Sequence, residues 1–413
     1  MELPEILHTY KALKTLFVNS DYHKLEPGKA RAVSTGSTLK KIWPLRSALG
    51  ITRLTDLTEL DYIGIPVISA TRPSVKSAQI TATQGKGLKR IDAIVSAIME
   101  AVERFSCAQF KETYLFPFDI NNKIHMLSNI CDKERWHNEV LEWVKSKSLF
   151  TNEDVFLPAA DVLFPYYPSQ KVERPMRPST TGIASGNTFA EAILHSIFEV
   201  IERDTTSRFL LEGYKGSLVD LESITTNKEK ELIKLFIESR ININVFDLSK
   251  LSPIPVFYVS ILNEEGLGPP LACAGQGAHI LPHIALRRAL TEAAQSRVVA
   301  LQGSREDLIR HDSHWKGNYE YFRDKREYVR NQVLEHGGIK RIEEVNSNED
   351  IYSSVYNLFL LTLEKIYNNG YKEVFYADLT HLKINIPVAF VSIPGMVDQI
   401  VEQTRIRSSI VIT

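Results

Sequence analysis

The sequence predicts an α+β protein built from mixed sheets and repeated loop–helix units, and three observations point there. Short β-type runs occur at Ile65-Pro66-Val67-Ile68, Pro255-Val256-Phe257-Tyr258-Val259 and Pro387-Val388-Ala389-Phe390-Val391. Longer stretches carry apolar residues at helical spacing. A glycine-containing turn followed by an acidic helix occurs three times. The 413 residues are 44% hydrophobic and 24% charged, enough apolar material for a large core.

With 49 basic and 50 acidic residues, the net charge of -1 gives no reason to expect a nucleic-acid or anionic-membrane partner. Cys107, Cys131 and Cys273 are too far apart for a CxxC pair, and an odd count argues against a secreted disulfide framework. Cys107 and Cys273 read as small buried apolar residues. No signal-peptide layout or membrane-length apolar run is present, so the expected location is cytoplasmic. No Gly/Ser tract or low-complexity spacer divides the chain. One integrated unit is expected, with residues 1–70 as its N-terminal part, 71–400 as its core and 401–413 as a tail. The proline-dense stretch from Pro158 to Pro178 reads as a surface connection. His311 and His314, in a charged segment, read as exposed side chains rather than metal ligands.

The acidic helices repeat in register. Ser96-Ala97-Ile98-Met99-Glu100-Ala101-Val102-Glu103-Arg104 aligns without a gap on His195-Ser196-Ile197-Phe198-Glu199-Val200-Ile201-Glu202-Arg203, and Asp92 falls opposite Glu191. A weaker third copy runs Arg288-Ala289-Leu290-Thr291-Glu292-Ala293-Ala294-Gln295. On a helix, Ile91, Ile94, Val95, Ile98, Val102 and Phe105 share one face, and Asp92, Ser96, Glu100 and Glu103 the other. In the second copy Ile193, Leu194, Ile197, Val200 and Ile201 oppose Glu191, His195, Glu199 and Glu202. Two glutamates at i,i+3 repel, so a helix does not gain its own stability from this pattern. Solvated helix faces are the alternative, and the shared glycine turns weigh against it: Gly85-Lys86-Gly87, Gly182 with Gly186-Asn187-Thr188, and Gly275-Gln276-Gly277.

Glycine lets a backbone approach a ligand or adopt positive φ, and a following helix N-terminus offers N–H groups to an anion. Glutamates beside a polyphosphate need a divalent cation between them, which Mg²⁺ with a nucleoside triphosphate supplies. Lys86, Arg203 and Arg288 are then candidates to neutralise phosphate charge, with Arg203 and Arg288 the candidate catalytic pair. An intrahelical salt bridge is the alternative for Arg104 and Arg203. The P-loop and dinucleotide-fold signatures are both incomplete here.

At these residues the sequence resembles the YcaO family. The three blocks above occur in the family's order, and Gly50-Ile51-Thr52-Arg53, Asp61-Tyr62-Ile63-Gly64-Ile65-Pro66-Val67 and Arg72-Pro73 are similar to upstream family segments. The resemblance runs from about Arg31 to Pro394. It implies a YcaO-type ATP-binding fold with Mg²⁺ held by Glu100, Glu103, Glu199 and Glu202. It also implies nucleotide contacts from Asn187, Glu191 and Arg203, with Thr38 as a hydroxyl contact and Arg31 near the basic one.

The activity the resemblance implies is ATP-dependent activation of a peptide backbone amide by phosphorylation, ending in an azoline or a thioamide. Many azoline-forming members end in a proline-rich tail, whereas no proline follows Pro394 here, which shifts the expectation toward thioamide formers that work with a TfuA-like partner. Without an obvious fused ThiF-like or peptide-clasping domain, recognition of a peptide or protein substrate is expected to fall to a separate partner, and a homodimer is the implied assembly. Two other readings stay open: a phosphotransferase on another substrate, and a non-catalytic accessory factor in protein modification, such as one assisting methylthiolation.

Overall fold

The computed structural model describes residues 13–23, 25, 30–75, 80–122, 133–168, 179–263, 272–303, 327, 329–345 and 354–396. Cys131, Pro175, Pro178, His311, His314 and the tail 401–413 lie outside them. In chain order, α1 (Thr35–Ile42), β1 (Arg53–Asp56), β2 (Val67–Thr71) and β3 (Ala82–Lys86) lead into α2 (Arg90–Gln109). Strands β4 (Thr113–Pro117), β5 (Val140–Ser148), β6 (Asp154–Pro158) and β7 (Ile183–Ser185) precede α3 (Phe189–Leu211). Then come β8 (Ser217–Val219), α4 (Asn227–Glu238), β9 (Asn242–Asp247), β10 (Val256–Leu262), β11 (Ala272–Ala278), α5 (Pro282–Gln302) and β12 (Ile339–Lys340). Helix α6 (Val355–Asn368), β13 (Phe375–Asp378) and β14 (Val388–Ser392) complete the described chain.

The three β-type runs form strands, and each starts one residue after a proline: Pro66 before β2, Pro255 before β10, Pro387 before β14. Proline cannot donate to a ladder, so it sits where pairing begins rather than inside it.

The chain divides into two compact units. One comprises Met1–Val33, Val102–Asp204 and Tyr352–Thr413, the other Ser34–Ala101 and Thr205–Ile351. The first holds a sheet of order β4-β5-β13-β14-β7, with β6 also paired to β5. Within it β7 pairs antiparallel with β14, Ser185 facing Val388. Phe118, Trp136, Leu141 and Trp143 form one of its buried clusters. The second unit holds a three-stranded sheet, β1-β2-β3, and a five-stranded sheet, β11-β10-β9-β8-β12. Its core gathers Ile63, Ile65, Phe236, Phe257, Val259, Ala289 and Ala293.

The expected surface connection after Pro158 is buried at its start. A helical turn at Ala159–Val162 follows β6, and Ala159, Ala160, Val162, Leu163 and Tyr166 are all inside. The Tyr166 hydroxyl donates to Glu142 at 2.8 Å, so these apolar and aromatic residues outweigh the prolines around them. Residues 169–178 lie outside the described set.

Of the repeat's glycines, Gly182 has the positive φ a glycine turn suggests, at +83°, and the others seat helix against strand. Gly85, Gly87, Gly186, Gly275 and Gly277 do not have positive φ. Instead, helix backbone lies where their side chains would stand. A Cβ on Gly85 would come within 2.1 Å of the Ala93 carbonyl oxygen and 2.2 Å of the Ala97 nitrogen. On Gly277 it would meet the Ala285 oxygen at 2.2 Å and the Ala289 nitrogen at 2.7 Å, the same positions relative to the glycine. Gly275 repeats this against Ala289 and Ala293, and Gly186 against the Ala192 nitrogen at 2.5 Å. On α2, Ala93, Ala97 and Ala101 are fully buried together with Ile98 and Val102 of the expected apolar face, while Ile91, Ile94 and Val95 are half-buried. Small residues on both sides let helix and strand backbones approach more closely than branched side chains allow.

Candidate functional site

In the first unit the acidic positions are built from β7 and α3. Gly186-Asn187-Thr188 links strand to helix, and the Thr188 hydroxyl accepts the Glu191 N–H at 3.2 Å, capping the first turn. One Glu191 oxygen accepts the Asn187 backbone N–H at 2.8 Å and its side-chain amide at 3.0 Å. The other accepts the Ala32 N–H, next to Arg31. Glu191 and Glu202 are 2% and 3% exposed, which excludes a solvated helix face for this copy.

Glu103, from the part of α2 that belongs to the same unit, accepts from the Ser185 N–H at 2.8 Å and the Ser185 hydroxyl at 2.7 Å. Glu199 is the perturbed group. Its carboxyl pKa is pushed up to about 8, chiefly by loss of solvation, with Arg203 pulling it down, Glu103 and Glu202 pushing it up and Arg104 pulling it down. Arg104 and Arg203 are therefore electrostatic neighbours of the acid. Asp21, absent from the expected set, is fully buried and accepts from the Thr188 hydroxyl at 2.7 Å.

In the second unit Glu100 accepts the Gln84 N–H at 2.8 Å. Lys86 is engaged by Glu292, the third-copy counterpart of Glu100, so its charge is already compensated within the protein. Thr38 is 5% exposed on α1 and donates to the Ser34 carbonyl at 3.2 Å. Asp92 holds α1 at its start, accepting from the Thr35 hydroxyl at 2.8 Å. Arg288 lies on α5, its Cβ on the side of Gly277. The first unit thus gathers Glu103, Glu199, Glu202 and Arg203 through one electrostatic network. Thr38, Lys86, Glu100 and Arg288 belong to the second.

Among the described residues, no three His, Cys, Asp or Glu side chains are gathered as a ready-made metal cage. The chemistry of the donor set nevertheless fits a hard divalent cation. Glu103, Glu199 and Glu202 offer only oxygen ligands, and the raised Glu199 pKa comes first from burial and then from the Glu103 and Glu202 charges. Cys107 is not a nucleophile: its buried thiol has its pKa pushed to about 12 and its sulfur takes the Phe164 N–H at 2.9 Å. No described helix is long and apolar enough to cross a membrane.

Sequence reasoning missed Asp21, and the contacts to Ala32, Thr35 and Glu292. Their partners lie far away in sequence, and only the acidic residue heading each repeated helix hinted at them.

Comparison with known proteins places the fold and the family. An uncharacterized protein from Methanothermobacter thermautotrophicus is 33% identical over 389 residues, spanning 92% of this chain and 99% of its own. An uncharacterized protein encoded in the tfuA 3' region of Rhizobium leguminosarum bv. trifolii is 31% identical over 307 residues, 70% of either chain. Among solved structures, YcaO from Methanopyrus kandleri bound with AMPPCP and Mg²⁺ superposes with a TM-score of 0.72 at 23% identity, covering 91% of this chain and 94% of that one. A heterocyclase in complex with substrate and cofactor also gives 0.72, at 21% identity, over 91% of this chain and 55% of its own. These similarities show the fold. The model of the YcaO cyclodehydratase family, ATP- and Mg²⁺-binding, matches residues 84–397, and by that match the protein belongs to the YcaO family.

Proposed function

We propose that this protein activates a peptide backbone amide at the expense of ATP, in a ribosomally made peptide or protein, and that a thioamide or an azoline results. The supporting observation is the Glu103, Glu199 and Glu202 group, where desolvation and like charge hold Glu199 near a pKa of 8. A carboxyl so perturbed is poised to exchange its proton for a cation. In this reading Glu100, Glu103, Glu199 and Glu202 hold Mg²⁺. The proposed nucleotide contacts are Arg31, Thr38, Lys86, Asn187, Glu191 and Arg203, with Lys86 exchanging its Glu292 partner for phosphate. When bound, Mg²⁺-ATP supplies the phosphoryl group that turns an amide oxygen into a leaving group. The protein's own part is positioning and charge neutralisation. Arg203, beside Glu199, and Arg288 on α5 are proposed for the charge.

The Rhizobium relative's tfuA neighbourhood supports a TfuA-like partner and, with it, the thioamide branch. The similarity in fold to the E. coli microcin synthetase McbBCD complex, with a TM-score of 0.58, supports work within a multi-protein assembly, in which a ThiF-like partner is the other candidate. The test incubates the protein with Mg²⁺-ATP, sulfide, a TfuA-like partner and a candidate peptide, followed by intact mass. Replacement of one oxygen by sulfur is the expected result. Loss of one water marks an azoline, whereas gain of a phosphoryl group overturns the reading in favour of a kinase.

Proton linkage gives a second check. Below pH 8 Glu199 carries its proton, so Mg²⁺-ATP binding at pH 7 releases about one proton that is not released at pH 9. Calorimetry in buffers of different ionisation enthalpy measures the difference, and equal release at both pH values counts against Glu199 as a ligand.

A further inference from the structure

We propose that Asp21 is a positioning residue for nucleotide binding: through Thr188 it fixes the N-terminal segment against the first turn of the helix that carries Glu199 and Glu202. The inference rests on the nucleotide reading above and names what sets one wall of that site.

Asp21 lies in a short turn at Asn19–Tyr22 and is 0% exposed. One carboxylate oxygen accepts from the Thr188 hydroxyl at 2.7 Å and the other from the Val18 N–H at 2.9 Å. A hydroxyl has a single proton to give, so Asp21 directs it and leaves the Thr188 oxygen facing the Glu191 N–H it caps. Glu191 in turn takes the Ala32 N–H, beside Arg31, and both donors of Asn187. The segment is therefore tied to one turn, Asn187 to Glu191, at residue 21 and again at residue 32.

Adhesion does not require this acid. Phe17 packs on Tyr356 and Phe359 with ring centroids 5.0 and 5.1 Å apart, and Tyr22 packs on Tyr356 at 4.9 Å. A buried carboxylate near a second one, Glu191, is an unfavourable way to add more, and burial together with the Glu191 charge pushes the Asp21 pKa up. What a carboxylate adds over apolar packing is direction. It sets the register of the segment on the very turn that bears Asn187 and Glu191.

The experiment titrates Mg²⁺-ATP into wild type, Asp21→Asn, Thr188→Val and Thr188→Ser, with steady-state kinetics and thermal melts of each ligand-free protein. Asp21→Asn places an N–H₂ against one of two donors, and Thr188→Val removes the shared hydroxyl. Both are expected to raise the Kd and KM for ATP about tenfold, with kcat within about twofold, and the double variant to be no worse than either single one. Thr188→Ser keeps the hydroxyl and retains wild-type affinity. Unchanged ATP affinity in Asp21→Asn, or equal losses for Thr188→Ser and Thr188→Val, overturns the proposal. Should Asp21→Asn fail to fold, the two Thr188 variants decide alone. A wild type that binds no Mg²⁺-ATP overturns the nucleotide reading as well, which separates that failure from failure of the latch.

Discussion

Glu199→Gln is expected to make the ligand-free protein more stable above pH 8 while removing its response to Mg²⁺-ATP. The sign follows from linkage. The folded-state pKa of about 8 lies above the ordinary glutamate value of 4.5, so the native state holds a proton that the unfolded chain has released. Between those two values wild-type stability falls as pH rises, and above pH 8 the penalty is complete. Below pH 4.5 it is absent. Glutamine, neutral throughout, lacks this slope, so the variant and wild type melt together at acid pH and the variant melts higher at pH 8.5. With ligand the order reverses: wild type gains about 2.7 kcal/mol at a hundred times Kd, and the variant gains next to nothing. Turnover falls at least about a thousandfold if Glu199 helps hold the ion that neutralises the phosphates. Melting curves across pH, with and without Mg²⁺-ATP, check all of this. A variant that is less stable at pH 8.5 without ligand contradicts the burial argument.

Gly275→Ala is expected to destabilise the second unit's helix–sheet layer rather than merely slow the enzyme. The added methyl would lie 2.2 Å from both the Ala289 oxygen and the Ala293 nitrogen. No rotamer relieves a clash with backbone, so α5 must lift off β11, and Ala285, Ala289 and Ala293 lose their contacts together. The expected cost is about 3 kcal/mol or more. At about 2–4 °C per kcal/mol for a unit of this size, the midpoint drops by roughly 10 °C. Gly36→Ala on α1 is the control, since nothing lies within 4 Å of its would-be Cβ, and it is expected to be neutral or stabilising by up to about 1 kcal/mol. If the two variants melt alike, glycine at position 275 is not a packing requirement.

The contrast shows what was legible in the chain. The constant offset between Glu100-Glu103 and Glu199-Glu202 identified both acidic helices, because a repeated unit keeps its hydrogen-bonding groups in register. The prolines before Val67, Val256 and Val388 marked where strands begin. Gly182 has the positive φ that a glycine turn suggests, whereas the close helix–strand approach at Gly85, Gly186, Gly275 and Gly277 was not legible, because the proximity of a crossing helix is a tertiary fact. Ile98 and Val102 of the apolar face are buried as their spacing predicts, and the alanines at 93, 97 and 101 are buried beside them because they meet a strand backbone that their own small side chains do not announce. Lys86 read as a spare cation because its partner, Glu292, lies 206 residues on. Asp21 was invisible for the same reason: its partner Thr188 is 167 residues away.

The threading of the first unit has a consequence for biosynthesis. Strand β7 pairs with β14, and β13 pairs with β5, so that sheet closes only when residues 375–392 have left the ribosome. Until then β7 leaves its β14-facing edge without its native partner, on a nascent chain that already contains the acidic helix α3. Such non-local closure is slow and exposes aggregation-prone edges. Chains cut short before Val388 should therefore be chaperone clients and protease substrates rather than partly active enzymes.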